Sequence, residues 1–211
     1  FMEKSPGLMP NETKILSDLA NDQNVLNMVG YNRRFYSIFH KGLDIINEHG
    51  KLLGVGVEGH ERFWKIANRV NETVRSQWIY ANSTHTIDLL RLFGGEIKSF
   101  NAHSKKLKEN NNDQFVAAME FDSGSLGTYI SHWFSPGGWT VTLYGVGVTV
   151  IFKPLEKGIW LDNNFVEHTI TPDEVDIKFK PIKGADHFYE SFSNEFEESI
   201  KDYIHQTIEI K

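Results

Sequence analysis

Cysteine is absent from this sequence of 211 residues. The chain therefore has no disulfide framework, no thiolate metal ligand and no cysteine nucleophile. Apolar runs are also short, since none approaches the roughly 20 residues of a membrane-spanning helix. No signal peptide opens the sequence. We therefore expect no membrane partner and a cytoplasmic location.

Basic residues are fewer than acidic ones and form no run. There are 22 Lys and Arg residues against 28 Asp and Glu residues, for a net charge of −6, so we expect no nucleic-acid partner. The nine histidines include no H-E-x-x-H motif and no pair at helical spacing near a carboxylate, so no metal site is expected. The G-x-S-x-G motif of a hydrolase is missing as well.

A glycine-rich string, Gly54-Val55-Gly56-Val57-Glu58-Gly59, matches G-x-G-x-x-G by its letters. A dinucleotide-binding loop needs a strand before it, a helix after it and an acidic residue about 20 positions later. Here the apolar pattern predicts a helix before the string and a strand after it, and no acidic residue lies near position 79. We therefore do not interpret this string as a cofactor loop.

The remaining apolar pattern divides the chain into an α/β beginning and a strand-rich remainder. Helices are predicted over residues 11–22 and 35–49, with a buried strand over 25–29 between them. Further strands joined by short turns indicate an antiparallel meander. They are expected at residues 52–66, 97–104, 115–121, 126–134, 139–144, 146–152, 160–170 and 175–179, before a last helix at 186–206. The predicted fold class is α+β: a large, mostly antiparallel sheet with helices on one face.

The segment from Asn82 to Gly95 predicts a helix that begins near His85. Ser83 or Thr84 can cap its first N–H groups, and Gly94 with Gly95 can end it. In a first turn, the helix dipole lowers the pKa of an imidazole, which suits a proton shuttle beside a hydroxyl or carbonyl substrate. The alternative is a histidine that only packs or hydrogen-bonds locally.

The second candidate is the tetrapeptide Glu3-Lys4-Ser5-Pro6. A lysine at the C-terminal end of a strand in an α/β sheet faces the crevice where ligands bind. Its ammonium can polarise a hydroxyl or carbonyl oxygen and transfer a proton. The alternative is a solvated loop lysine.

Three segments in order resemble the Gfo/Idh/MocA family, which includes glucose–fructose oxidoreductase and inositol dehydrogenase. They are Glu3-Lys4-Ser5-Pro6, Val29-Gly30-Tyr31-Asn32-Arg33-Arg34-Phe35, and His85-Thr86-Ile87-Asp88-Leu89-Leu90-Arg91 followed by Gly94-Gly95. The resemblance implies hydride transfer between NAD or NADP and a carbon of a sugar or polyol. It implies that residues 1–31 are the tail of a dinucleotide-binding Rossmann domain and that residues 32–211 are a substrate-binding and oligomerisation domain.

The resemblance also assigns roles to individual residues. Lys4 would correspond to the lysine of the family's E-K-P motif, beside the nicotinamide together with Glu3. His85 would be the histidine of the D-x-x-x-H motif and act as a proton shuttle, while Asn32 and Arg33 would lie near the substrate.

The sequence departs from the family pattern in several places. Ser5 is inserted in the E-K-P motif, Ala81 stands where the family has Asp, and Ser83 replaces a glycine. The glycine-rich cofactor loop is missing, so we expect this chain by itself to show no dehydrogenase activity. The parent protein is expected to use Lys4 and His85 alone, to act on an unusual substrate, or to have lost catalysis.

A non-catalytic alternative is an oligomerisation or ligand-binding module. Phe134, Trp139, Tyr144 and Phe152 could form an apolar open sheet face through which a homodimer or homotetramer assembles. They could equally fill the core.

Overall fold

A computed structural model describes residues 2–7, 9–66, 68–109 and 111–173. Helices predominate in the first half of the chain and strands in the second half, in agreement with the α+β prediction. The strand predicted at residues 175–179 and the helix predicted at 186–206 lie outside the described residues. In chain order, the elements are α1 (Pro10–Asp22), a 3-10 turn (Asn32–Phe35), α2 (Ser37–His49), β1 (Leu52–Gly59), α3 (Phe63–Ile66), α4 (Glu72–Ser76), a π-helical turn (Ile79–Ser83), α5 (Thr84–Gly94), β2 (Ile97–Lys105), β3 (Gln114–Phe121), β4 (Leu126–His132), β5 (Trp139–Gly145), β6 (Val148–Phe152), β7 (Gly158–Leu161) and β8 (Glu167–Ile170).

The eight strands form one sheet in the order β2-β3-β4-β1-β5-β6-β7-β8. Only β1 and β4 pair in parallel, and the other neighbours are antiparallel, which confirms a mostly antiparallel sheet. The prediction of one continuous meander is wrong at one place. Because β1 lies between β4 and β5, the turn at residues 136–138 connects two strands that are not neighbours.

Helices α2 and α5 pack on one face of the sheet and enclose the main core. Phe39 of α2 is fully buried, and its ring centroid lies 5.3 Å from that of Phe93 in α5 and 4.9 Å from that of Phe152 in β6. The aromatic contacts therefore join both helices to the middle of the sheet. Gly50 and Gly95 end these helices with φ of 128° and 90°, which confirms the predicted end of the first helix at residue 49 and the predicted glycine stop of the second.

A second, smaller core lies around α3 and α4. It contains Phe63, Trp78 and Trp133, and the rings of Phe63 and Trp133 stack at 5.1 Å. The sequence predicted a strand through residue 66, which is wrong. The strand ends at Gly59, and Phe63 begins a short helix because its side chain is buried against Trp133, beyond the sheet.

The face of the sheet opposite α2 and α5 carries side chains that remain exposed, including Val116, Leu126 and Tyr144. The prediction that four aromatic residues form this face is wrong for all but Tyr144. Phe152 is fully buried in the main core, Phe134 packs on Phe63, and Trp139 is half-buried. Strand alternation explains the difference, since Phe152 occupies the same face as Val150 rather than that of Ile151.

The first thirty residues contain less regular structure than predicted. A single parallel bridge joins Met2 to Val29, and residues 25–27 are exposed instead of forming a buried strand. Helix α1 carries the apolar residues Ile15, Leu16 and Leu19, but all three are exposed. No residue of α1 is buried. The helix begins at Pro10 with Met9 as its N-cap residue, not with Asn11.

Helix α2 also begins later than predicted. Phe35 ends the separate 3-10 turn, and the helix starts at Ser37. Within the described residues, no helix is long and apolar enough to cross a membrane.

Candidate functional site

The bridge between Met2 and Val29 brings the two N-terminal motifs together. The backbone N–H of Met2 donates to the carbonyl of Met28, and that of Gly30 donates to the carbonyl of Met2, both at 2.9 Å. Lys4 therefore follows one extended segment and Tyr31 follows the other. Both segments end beside the N-terminal end of α5, where the Lys4 ammonium donates to the Ala81 carbonyl.

A π-helical turn from Ile79 to Ser83 leads directly into α5. Such turns are frequent at functional sites because their wide backbone re-aims nearby groups. The Ser5 hydroxyl donates to the Tyr80 carbonyl, which also accepts from Thr84 Oγ1 at 3.1 Å. The turn thus anchors the segment that carries Lys4.

This turn corrects the prediction that Ser83 or Thr84 caps a free helix start. Ser83 has helical backbone angles, its side chain makes no cap hydrogen bond, and the helical path continues back to Ile79. His85 is therefore not in the first turn of an isolated helix. The dipole explanation for its pKa must be replaced by one based on burial and charge.

His85 is buried between two aromatic rings. Its imidazole lies 5.9 Å from the Tyr31 ring, edge-on, and 6.0 Å from the Trp139 ring. Burial, followed by the positive charges of Lys4 and Arg33, lowers the pKa of His85 to about 3. The imidazole is therefore neutral at pH 7. Its Nδ1 atom is buried without a hydrogen-bond partner.

Lys4 is the first of the two cations whose charge acts on His85. Burial is the main cause that lowers its pKa, and Arg33 lowers the pKa further, while the carboxylates of Glu3 and Glu61 raise it. Glu3 itself is exposed, so its charge acts on Lys4 partly through solvent. A lysine in such surroundings releases its proton more easily than a solvated one does.

Arg33 lies on the other side of the same cluster. Its guanidinium carbon is 4.8 Å from the Trp139 ring centroid, and one of its nitrogens is 3.5 Å from Glu156 Oε1. Its Nε atom is buried without a hydrogen-bond partner. Asn32 precedes it and is half-buried at the start of the 3-10 turn.

Arg34 fixes this turn to α5. Its guanidinium donates two hydrogen bonds of 2.7 Å to the two carboxylate oxygens of Asp88, which is buried. This bidentate geometry is the strong form of the Arg–carboxylate pair. The pair holds the 3-10 turn against the helix that carries His85, so it positions the predicted site residues relative to each other.

Glu61 is a site residue that sequence reasoning missed. It lies two residues after β1, is only 5% exposed, and accepts a hydrogen bond of 2.9 Å from Asn82 Nδ2. Burial raises its pKa to about 7, and Lys4, Asn82 and the two indoles of Trp78 and Trp139 partly oppose that rise.

The cluster as a whole brings together an ammonium, a guanidinium, a neutral imidazole and a buried carboxyl group. The structure places Lys4, Arg33 and His85 close enough for charge coupling, with Asn32 and Glu3 adjoining them in the chain. Donors and a neutral acceptor in one partly desolvated cluster suit the binding of hydroxyl oxygens and the transfer of their protons. In the described part of the chain, no three His, Asp or Glu side chains converge in the manner of a metal site.

A cleft of about 400 Å³ lies elsewhere, at the C-terminal end of α5. It is lined by Leu43, Ile46, Asn47, Gly50, Lys51, Leu52, Phe93, Gly94 and Ser123. At a rise of 1.5 Å per residue, Gly94 is about 14 Å along the helix from His85. The cleft therefore contains none of the predicted site residues, and it offers no titratable cluster of its own.

Solved structures of oxidoreductases have a similar fold. An NAD binding oxidoreductase from Klebsiella pneumoniae is 16% identical with a TM-score of 0.71, and the match covers 90% of this chain and 60% of that chain. Levoglucosan dehydrogenase in complex with NADH and L-sorbose is 17% identical with a TM-score of 0.65, over 82% of this chain and 53% of that one. UDP-N-acetylglucosamine 3-dehydrogenase from Acidithiobacillus ferrooxidans is 13% identical with a TM-score of 0.64, over 82% and 55%.

The chain thus spans between 53% and 60% of the length of these solved structures. A comparison with curated proteins gives no match. Residues 48–150 match the model of the GFO/IDH/MocA C-terminal domain. In this chain, these residues include β1, α5 and the central strands. The resemblance found in the sequence is confirmed for this domain. Residues 48–150 are thus similar to the GFO/IDH/MocA C-terminal domain.

Proposed function

We propose that the full-length protein containing this chain is an oxidoreductase that transfers a hydride between NAD or NADP and a carbon of a sugar or polyol. The single observation that carries this proposal is the placement of the Lys4 ammonium and the neutral His85 imidazole in one buried cluster at the start of α5. The similarity to levoglucosan dehydrogenase supports it, because that enzyme is solved in complex with NADH and L-sorbose and with NADH and levoglucosan.

We also propose the domain division predicted from the sequence. Residues 1–31 would be the tail of a Rossmann domain, and residues 32–211 would form the substrate-binding domain. The parallel bridge between Met2 and Val29, with α1 between the two partners, supports this division because it has the order of a strand–helix–strand unit.

The chemistry divides between the cofactor and this chain. When bound, the nicotinamide supplies the hydride acceptor or donor. In the oxidation direction, the C–H hydrogen of the substrate leaves as a hydride and the O–H hydrogen leaves as a proton. Lys4 donates a hydrogen bond to the reacting oxygen and stabilises its negative charge. His85 is neutral at pH 7 and is the group of the cluster that would accept the proton.

Residues beside Lys4 and His85 bind the substrate. Arg33 has a buried Nε atom without a hydrogen-bond partner, so a substrate hydroxyl can satisfy it. Asn32 precedes Arg33 and supplies an amide of the kind that binds sugar hydroxyls. Glu3 lies beside Lys4 at the side where the nicotinamide would sit, by family resemblance.

Steady-state kinetics on the full-length protein tests this proposal. A panel of sugars, cyclitols and other polyols is supplied with NAD or NADP, and reduced dinucleotide is followed by absorbance. We expect at least one polyol to be oxidised. Absence of turnover with every polyol and with both dinucleotides would contradict the proposal and favour the non-catalytic module.

The alternative function rests on the exposed sheet face. Val116, Leu126 and Tyr144 lie on β3, β4 and β5 of that face, with β1 between β4 and β5, and each exposes more than 40% of its surface. Exposed apolar side chains that share one open sheet face can mark an interaction site. We therefore propose that a second copy of the chain covers this face, in a homodimer or homotetramer.

Light scattering at micromolar concentration checks the oligomer. We expect a dimeric or tetrameric mass for the unmodified chain and a monomeric mass for Leu126→Glu, because the substitution places a charge in the contact. Phe100→Glu is the matched control, since Phe100 is 71% exposed but pairs with Met119 on the opposite face. A monomeric mass for the unmodified chain would contradict the proposal.

A further inference from the structure

Glu61 is a buried carboxyl group to which the family pattern assigns no role. Its side chain is only 5% exposed, yet it lies in the loop that follows β1, beyond the hydrogen-bonded strand. Burying a carboxylate is costly unless it is paired or hydrogen-bonded. The side chains around Glu61 therefore show what compensates for that cost.

The partners of Glu61 belong to the Lys4 cluster. Asn82 Nδ2 donates to Glu61 Oε1 at 2.9 Å, and Asn82 follows Ala81, whose carbonyl accepts from the Lys4 ammonium. Trp139, which favours the ionised form of Glu61, also contacts the His85 ring and the Arg33 guanidinium. Asn82 and Trp139 therefore link the Glu61 carboxylate to Lys4, Arg33 and His85.

Position 81 explains why a carboxylate is needed there. The family resemblance assigns an Asp to this position, where the chain has Ala81, so the π-helical turn provides no negative charge. Lys4 and Arg33 then place two positive charges in a partly buried cluster. Among the groups that shift the pKa of Lys4, Glu61 and the exposed Glu3 are the two that stabilise its charge.

We propose that Glu61 is a positioning residue whose carboxylate holds the Asn82 amide and the Lys4 ammonium in place, the part that the family resemblance assigns to an Asp at position 81. This inference rests on the proposed function, because the reason to position Lys4 is its contact with the reacting oxygen. Glu61 acts through Lys4 and Asn82 and does not itself need to touch the substrate.

The first test measures the protonation of Lys4 in the 211-residue chain without any cofactor. Carbon-13 at Cε of lysine is titrated by NMR, and Lys4 is assigned from the signal lost in Lys4→Arg. Because the Glu61 carboxylate is one of the charges that raise the pKa of Lys4, Glu61→Gln is expected to lower the pKa of Lys4 by about 1. Adding Ala81→Asp to Glu61→Gln is expected to restore at least half of that loss.

Glu58→Gln is the matched control, because Glu58 lies near the end of β1, three residues before Glu61, but is not among the groups that act on Lys4. An equal pKa of Lys4 in Glu61→Gln and Glu58→Gln would overturn the inference. Glu61→Asp keeps the charge, so it is expected to retain a pKa of Lys4 closer to that of the unmodified chain than Glu61→Gln does.

The second test uses turnover by the full-length protein as a function of pH. In Glu61→Gln, the fall of kcat at alkaline pH is expected to begin about 1 pH unit lower, and the loss of kcat relative to the unmodified protein should approach about tenfold at pH values above both pKa values. An unchanged pH profile would count against the inference. A shifted pKa of Lys4 in a protein without polyol turnover would refute the proposed function and leave the coupling of Glu61 to Lys4 intact.

Discussion

Replacing Lys4 with alanine is expected to lower kcat of the full-length protein by a factor of about 10² to 10⁴. The substitution removes the ammonium that stabilises charge on the reacting oxygen. His85→Ala is expected to fall in the same range, because it removes the proton acceptor. Lys4→Ala should be at least as damaging, since it also removes the charge that polarises the reacting oxygen.

The KM for the polyol should change less than kcat in both variants. The lost interactions form mainly as charge develops in the transition state, and such losses appear in kcat. Lys98→Ala and His103→Ala are matched controls, because both residues are exposed on β2, away from the cluster. Full activity in His85→Ala would leave His85 as a packing residue and remove it from the mechanism.

The second large effect is expected in the pH dependence of stability. The pKa of His85 is about 3 in the folded chain, below its ordinary value of 6.5, so the unfolded chain binds more protons between these values. The stability is fully present above about pH 6.5 and is lost as the pH falls toward 3. Between pH 7 and pH 4.5, His85 should cost the folded chain about 2.5 kcal/mol.

Glu61 acts with the opposite sign. Its pKa is about 7 in the folded chain, above its ordinary value of 4.5, so the folded chain binds more protons between these values. The stability is fully present below about pH 4.5 and is lost as the pH rises through 7. Between pH 5 and pH 8, Glu61 should cost the folded chain about 2.5 kcal/mol.

Urea unfolding followed by tryptophan fluorescence measures both effects in the 211-residue chain. His85→Gln should gain stability relative to the unmodified chain as the pH falls from 7 to 4.5. Glu61→Gln should gain stability relative to it as the pH rises from 5 to 8. If either variant keeps a constant stability difference across its range, the burial assigned to that residue is wrong.

The sequence predicted the elements in which local pattern and tertiary packing agree. The ends of α2 and α5 followed from Gly50 and Gly95, because both residues adopt positive φ that other residues avoid. The antiparallel neighbours β3–β4 and β5–β6 followed from short turns between apolar runs. Lys4 and His85 were predicted as site residues because their motifs stand in a recognisable order, and that prediction remains a proposal.

Other features depend on contacts between residues that are distant in sequence. The insertion of β1 between β4 and β5 has no signal in the turn at residues 136–138, since hairpin chemistry does not identify a third strand. Glu61 fell within the strand predicted at residues 52–66, and only the fold brings Asn82 to it from 21 residues away. The π-helical turn was missed because its residues read as the start of a regular helix.

The most direct measurement follows the hydrogen itself. The full-length protein is supplied with a polyol that carries deuterium on the reacting carbon, together with NAD or NADP, and the dinucleotide is analysed by mass spectrometry. The account predicts that deuterium appears in the reduced nicotinamide in the unmodified protein, and at least about a hundredfold more slowly in Lys4→Ala. Reduced nicotinamide without deuterium, or equal transfer in Lys4→Ala, would contradict it.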